Sequence, residues 1–413
     1  MPPEDRPAWG LLAALTALNV LSYVDRQLIV TLAPLLMSDL GLSRGQIGLL
    51  VGASFIVAFA GLNFAMGAAA DRVGSRPRLI AAGLGVWSTA TALTSVARRF
   101  SDLVLLRAAV GVGEATLSPA ALSMLSDRFP LSRLGFASSV FYAGIPVGFG
   151  LSFLLAGWIG PWLGWRACFV FLGVAGIVAI AAVVALRDPR RRGVAPAEPG
   201  GSGEPRGLSA ALVERPSIVL LGLAGAFFAF TSAASQHTIT WLVEDRGIPY
   251  GRAAFLSAGI VAGAGLLGNV LFGVASDRAR RRHPAGRIVV SAIFAASGLA
   301  LAAVFYSMPA SSALFVPLWF GVGLWMLGWF GPILAALSEA APPGRRGGVI
   351  GFGLLAVNLL GVAPGPWVTG MIGDRAGLTT GLLVSLAVGA LGLVPLLGAA
   401  WLETRAAARL ADR

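Results

Sequence analysis

The 413-residue sequence has one cysteine, two histidines and no lysine at all. Its single thiol, Cys168, can form no intramolecular disulfide, and His237 and His283 lack the spacing of a metal site. No nucleophile triad and no phosphate-cradling loop is present, so enzymatic chemistry has no residues to carry it and no cofactor is expected. Charge is also scarce, 12% of residues against 56% hydrophobic, which excludes a soluble globular protein of ordinary composition. All 31 basic residues are arginines, a bias that, with abundant Ala, Gly and Pro, fits a GC-rich bacterial genome and hence an inner-membrane location. A net charge of +12 raises nucleic acid as a partner. The arginines, however, lie in short loops between apolar runs, where they orient a membrane protein, and no nucleic-acid role follows. A selectivity filter or pore ring and an output domain are likewise missing, which excludes a channel and a sensor.

What is present is apolar length. A helix needs about 20 apolar residues to cross roughly 30 Å of hydrocarbon. Twelve segments qualify: 9–37, 46–70, 78–98, 102–127, 134–160 and 164–186, then 216–243, 252–276, 287–307, 312–338, 346–372 and 378–402. The first is too long for a signal-peptide core and reads as a retained helix. The fold class expected is all-α and integral to the membrane, with six helices over 1–187, a linker rich in Pro, Gly and Arg over 188–215, and six helices over 216–413. With both termini cytoplasmic, the inner loops and tails hold 22 arginines against seven in the outer loops, as the positive-inside rule requires.

Two stretches repeat at an offset of 206 positions: Gly67, Asp71 and Arg72 after helix 2, and Gly273, Asp277 and Arg278 after helix 8. The first belongs to Gly67-Ala-Ala-Ala-Asp71-Arg72-Val-Gly74-Ser75-Arg76. Gly67 lets two helices approach, Asp71 sits where a helix end or an arginine can meet it, and Arg72 and Arg76 supply cytoplasmic charge.

This stretch resembles the loop motif of the major facilitator superfamily, which implies two six-helix bundles in the major facilitator fold. The resemblance makes Gly67, Asp71, Arg72, Gly74, Arg76, Asp277 and Arg278 a conformational latch rather than a substrate site. Within the superfamily the chain is most similar to the spinster family, through Tyr23-Val-Asp25-Arg26-Gln27, Arg107-Ala-Ala-Val-Gly111-Val-Gly113-Glu114-Ala115, Gly144-Ile-Pro146-Val-Gly148 and Gly164-Trp165-Arg166. Asn358-Leu-Leu-Gly361-Val-Ala-Pro364-Gly365-Pro366 adds to it. The Asp-Arg pair, the Asp-Arg-x-Gly-Ser-Arg-Pro loop and the Gly-Glu-Ala stretch are shared with anion:cation symporters of organic acids. Cargo thus stays open between a lysophospholipid or sphingoid-type lipid, an organic anion and a drug, and direction between export and import. A monomeric carrier among membrane lipids is expected.

Four charges stand inside predicted membrane helices, where each costs on the order of 3 kcal/mol unless paired or used. Asp25 and Arg26 lie in helix 1; Arg107 and Glu114 lie in helix 4, two turns apart on one face. At roughly 1.5 Å per residue, Asp25 and Arg107 fall at similar depths, with Glu114 nearer the midplane. These four are the candidate site. The expectation is that Glu114, joined by Asp25, binds a proton in one state and releases it in the other, while Arg26 and Arg107 alternate between these carboxylates and an anionic substrate group. A permanent salt-bridge lock between helices 1 and 4 is the rival reading. With no ATP-binding motif, a proton gradient is the expected energy source; a sodium gradient fits the same residues. The second half offers Thr231, Ser232, Ser235, Gln236 and His237 but no clear mid-membrane charge, an asymmetry suited to an amphiphile. The prolines and glycines of helices 5 and 11 weaken helical hydrogen bonding and pack closely.

Overall fold

The computed structural model describes residues 6–72, 74–186, 188, 209, 212–342 and 345–411, and among these it contains helices and no strand. Among the described residues, ten helical runs are long and apolar enough to span a bilayer. One of them, Leu131–Val184, is two helices meeting at Gly164, whose φ of 77° and ψ of 169° is open essentially to glycine alone. The missing run, Arg76–Thr94, is diluted by Arg76, Arg78 and four hydroxyl residues. Twelve helices result. We label them α1 (Ala8–Thr31), α2 (Arg44–Val51 with Ala53–Arg72), α3 (Arg76–Thr94), α4 (Phe100–Arg128), α5 and α6 (131–163 and 165–184), α7 (Pro216–Glu244), α8 (Tyr250–Arg282), α9 (Gly286–Ser307), α10 (Phe315–Ala340), α11 (Gly348–Ala376) and α12 (Leu378–Ala406). Gly377, with φ 86° and ψ 149°, joins α11 to α12 as Gly164 joins α5 to α6. A residue free of Cβ thus does the work of a loop at both of the tightest connections.

The contacts separate the chain into two compact units, Met1–Val194 with Leu242–Ala262, and Ala195–Trp241 with Gly263–Arg413. Apart from residues 188, 209 and 212–215, the expected linker lies outside the described residues.

In the first unit α1 lies against α5 with almost no side chain between them. A Cβ on Gly148 would fall 2.7 Å from both Tyr23 Cβ and Val20 O, and one on Gly144 would fall 3.1 Å from Asn19 Nδ2. Asn19 donates to Phe141 O at 2.7 Å across the same seam. The second unit repeats the arrangement between α7 and α11, where a Cβ on Gly361 would fall 2.5 Å from Ala226 O and one on Gly365 would collide with the Phe230 backbone. Pro364 and Pro366 remove two donors beside this seam, and α11 responds with a π turn over Val357–Val362, closed by Ala363 N donating to Asn358 O at 2.9 Å. Pro146, by contrast, is absorbed in α5 without a break.

Large apolar side chains cover the outside. Trp158 is 77% and Trp162 82% exposed, as suits residues facing lipid at a membrane boundary. Trp165 departs from the boundary role, being buried and donating Nε1 to Asp39 Oδ2 at 3.0 Å. Asp39 also accepts from Arg166, and these two hydrogen bonds, Arg166 first, hold its carboxyl below the usual carboxylate range.

Arg76 begins α3 with its side chain buried. Its guanidinium donates to Asp188 Oδ1 at 2.8 Å, to Asp127 Oδ2 at 2.6 Å and to Ser123 Oγ at 2.9 Å, binding the start of α3 to the end of α4 and the chain beyond α6. Arg287 holds the corresponding place at the start of α9, 2.8 Å from Asp277 and 3.2 Å from Glu339 at the end of α10. Because a planar fork serves several acceptors at once, Arg76→Lys is expected to lower the stability of the detergent-solubilised protein by about 2 kcal/mol, read from thermal unfolding. An unchanged melting temperature would show that the fork holds nothing.

Candidate functional site

The charged residues of α1 and α4 meet inside the first unit. Asp25 is 2%, Arg107 4% and Glu114 1% exposed, depths at which an ionised group needs a partner. Arg107 and Glu114 share one regular run of α4, Phe100–Glu114; just beyond it Thr116 N turns back to Gly113 O at 3.3 Å, and the helix resumes at Leu117. Gly113 permits the approach of α3 there, since its Cβ would fall 2.6 Å from Gly83 O.

The pairing is crossed. Arg26 Nε donates to Glu114 Oε2 at 2.5 Å. Arg107 Nη1 lies 3.8 Å from Asp25 Oδ1, an ion pair too long for a hydrogen bond, while Arg107 Nη2 donates to Arg26 O at 3.2 Å. Each helix gives one acid and one base, so the four formal charges cancel. Four polar atoms of the cluster, Asp25 Oδ1, Glu114 Oε1 and Arg107 Nε and Nη1, have no hydrogen-bond partner among the described residues. The cluster is therefore neutral yet incompletely hydrogen-bonded, a state that leaves donors and acceptors for a proton or a substrate group.

Residues outside the four charges shape it. Phe59 of α2 lies 4.3 Å from the Arg26 guanidinium, with Tyr23 at 4.6 Å and Phe55 at 4.9 Å; Phe55 also lies 4.9 Å from that of Arg107. Thr91 of α3 donates its hydroxyl to Asp25 Oδ2. Sequence reasoning missed Thr91, Phe55 and Phe59. Uncharged side chains are ordinary in a membrane helix, and only the four-residue spacing of Phe55 and Phe59, one face of α2, hinted at a shared target.

The polar row of α7 does a different job. Thr231 donates to Ser385 O at 2.6 Å, Ser232 to Met326 O at 2.9 Å and Ser235 to Ser232 O at 2.6 Å, while His237 Nε2 meets Pro366 O at 2.7 Å. Most of these contacts join α7 to α10, α11 and α12. Trp325 and Trp329 are buried, the first against Gly298 and the second edge-on to Phe228.

Of the latch residues, the surroundings of Gly67 and the side chains of Asp71 and Arg72 lie outside what the structure describes. Gly74 is exposed, Arg76 occupies the buried network given above, Asp277 pairs with Arg287, and Arg278 is exposed.

The sequence matches the Major Facilitator Superfamily over residues 15–366. An MFS-type efflux pump of Mycolicibacterium smegmatis is 30% identical over 89% of this chain and 85% of its own length. The protein spinster of Drosophila melanogaster is 27% identical over 89% of this chain, which spans 62% of that longer protein. Among solved structures, a bacterial homolog of the human lysosomal transporter spinster, in an inward-facing and unoccupied conformation, superposes over 100% of this chain and 99% of its own. The TM-score is 0.81 at 23% identity, a likeness of fold.

Proposed function

The chain belongs to the Major Facilitator Superfamily as a multi-pass secondary transporter of a small molecule, not an enzyme, and from this premise we propose that it carries an amphiphilic, lipid-like cargo by proton-coupled alternating access. The observation that supports the reading is the neutral cluster of buried Asp25, Arg107 and Glu114 with half-buried Arg26, held in one unit and crossed between α1 and α4. An anionic group entering the cluster competes with Glu114 for Arg26 and with Asp25 for Arg107. A carboxylate so displaced is an unpaired buried charge, which proton uptake neutralises. When the substrate leaves, the proton leaves and the ion pairs close again.

The amphiphilic part of the reading is supported by the second unit, where the α7 hydroxyls of Thr231 and Ser232 are engaged by backbone carbonyls and no charge matches the cluster of the first unit among the described residues of α7. The resemblance to spinster proteins points the same way, toward a lysophospholipid or sphingoid-type cargo. The carrier works as a monomer in the inner membrane with both termini cytoplasmic. The residues of the Gly67 to Arg76 loop and the Asp277-Arg278 pair form its conformational latch.

The test is uptake of a fluorescent lysophospholipid into proteoliposomes, with and without an imposed pH gradient. For one proton per substrate, a gradient of one pH unit sustains about tenfold accumulation. Wild type is expected to approach that factor, and Glu114→Gln to lose the response while still binding lipid. Should organic anions move and lipid neither bind nor move, an organic-anion symporter replaces this reading; Arg107, whose buried Nε and Nη1 have no hydrogen-bond partner among the described residues, is the residue that would take the carboxylate.

A further inference from the structure

We propose that Thr91 is a positioning residue for proton coupling, fixing which oxygen of Asp25 takes the proton and how readily. The inference rests on the reading of Asp25 as a coupling carboxylate.

The hydroxyl groups of this protein have a common habit. Thr31, Ser54, Thr94 and Ser257 each donate to the carbonyl four residues earlier in their own helix, at 2.7–3.0 Å. This is the default where a hydroxyl faces hydrocarbon, because it satisfies the donor locally. Thr91, 1% exposed and one turn before Thr94 on the same helix, leaves its own backbone and reaches across to Asp25 Oδ2. Two turns earlier α3 also packs directly on α4, where a Cβ on Gly83 would fall 2.6 Å from Gly113 O.

The two oxygens of Asp25 are thereby made different. Oδ2 accepts from Thr91. Oδ1 has no hydrogen-bond partner among the described residues and lies 3.8 Å from Arg107 Nη1. A proton arriving at Oδ1 forms an O–H bond there and leaves the Thr91 bond intact, whereas one arriving at Oδ2 takes electron density from the oxygen that accepts from Thr91 and weakens that bond. Oδ1 is the site of protonation. A hydroxyl donating to the ionised form also favours that form over the neutral acid. The other groups acting on Asp25 are Arg107 and Glu114 from α4 and Arg26 from α1; α2 contributes the Phe55 ring against both guanidiniums. Thr91 is the uncharged member of this set, so its hydroxyl can be removed without altering the charge balance.

The experiment is an infrared pH titration of the full protein in lipid nanodiscs, following the protonated-carboxyl band without any substrate. Asp25→Asn identifies the Asp25 contribution by its loss. Thr91→Val, nearly isosteric, is expected to move the midpoint of that band upward by about one pH unit, a roughly tenfold change in proton affinity. Thr91→Ser restores the wild-type midpoint, which a role in packing alone does not predict. If Thr91→Val does not fold, Thr91→Ala serves in its place with the same expected shift. A band that Asp25→Asn removes, but whose midpoint is the same with and without the hydroxyl, overturns the role of Thr91 and leaves the coupling role of Asp25 standing. The absence of any titrating Asp25 band overturns both.

Discussion

Glu114→Ala is expected to destabilise the protein by about 3–5 kcal/mol, seen as a large fall in thermal unfolding temperature in detergent or nanodiscs. Arg26 would lose the carboxylate 2.5 Å from its Nε, and a cluster whose charges cancel would carry a net positive charge in a medium that solvates it poorly. The aromatic rings of Tyr23, Phe55 and Phe59 soften this but supply no counter-charge. The informative companion is the double substitution Arg26→Met with Glu114→Leu, which removes both charges. Its stability should return to within about 1 kcal/mol of wild type, because replacing a buried pair by apolar side chains of similar volume is close to neutral. Transport is the second readout. If the pair is part of the coupling machinery, the double variant is stable and does not respond to a pH gradient. A double variant as unstable as the single one would show that the single loss came from packing, and a stable double variant that still follows the gradient would remove Arg26 and Glu114 from coupling.

The second large effect is at the glycine seams. Gly148→Val puts a branched side chain where even a Cβ would stand 2.7 Å from Tyr23 Cβ and Val20 O. Backbone cannot swing aside as a side-chain tip can, so α1 and α5 must part, at a cost of about 1–3 kcal/mol or more. Tyr23 also lies over the Arg26 guanidinium, so the displacement reaches the charged cluster and uptake should fall with stability. Gly365→Val, against the Phe230 backbone, should behave alike in the second unit without touching the cluster. Gly135→Ala is the control, since nothing lies within 4 Å of the added carbon and helix propensity alone predicts a gain of up to about 1 kcal/mol. Equal melting temperatures for Gly148→Val and Gly135→Ala would contradict the seam.

The architecture was legible because lipid imposes a coarse rule, that a spanning segment be apolar and about 20 residues long. Eleven segments obey it plainly. Helix 3 stretches it, carrying Ser88, Thr89, Thr91 and Thr94, and one of those hydroxyls is the one turned to Asp25. The four charges were visible for the same reason, each being an anomaly in hydrocarbon. Which acid meets which base was only half visible: helical rise set Asp25 and Arg107 level, but the bond between Arg26 and Glu114 depends on how α1 and α4 are turned toward each other, which no periodicity within one helix announces. The aromatic walls and Thr91 lay beyond reach, because their importance comes from what they face across a helix interface. The α7 hydroxyls show the converse: polar residues in a membrane helix invite a functional role, and here backbone carbonyls engage Thr231, Ser232 and Ser235.

Cys168, set aside at the outset as chemically idle, has a practical value for following the transport cycle. Its side chain is fully buried in α6, with Sγ 3.7 Å from Gly164 O. A maleimide or methanethiosulfonate reagent needs an accessible thiolate, so this sulfur should stay unlabelled while a cysteine placed on the exposed face of Gly74 or Arg278 reacts. The natural sequence is thus ready for paired spin or fluorescent labels with no thiol removed. Distances between such labels, recorded with and without a pH gradient, would trace the population of each carrier state in the unmodified core.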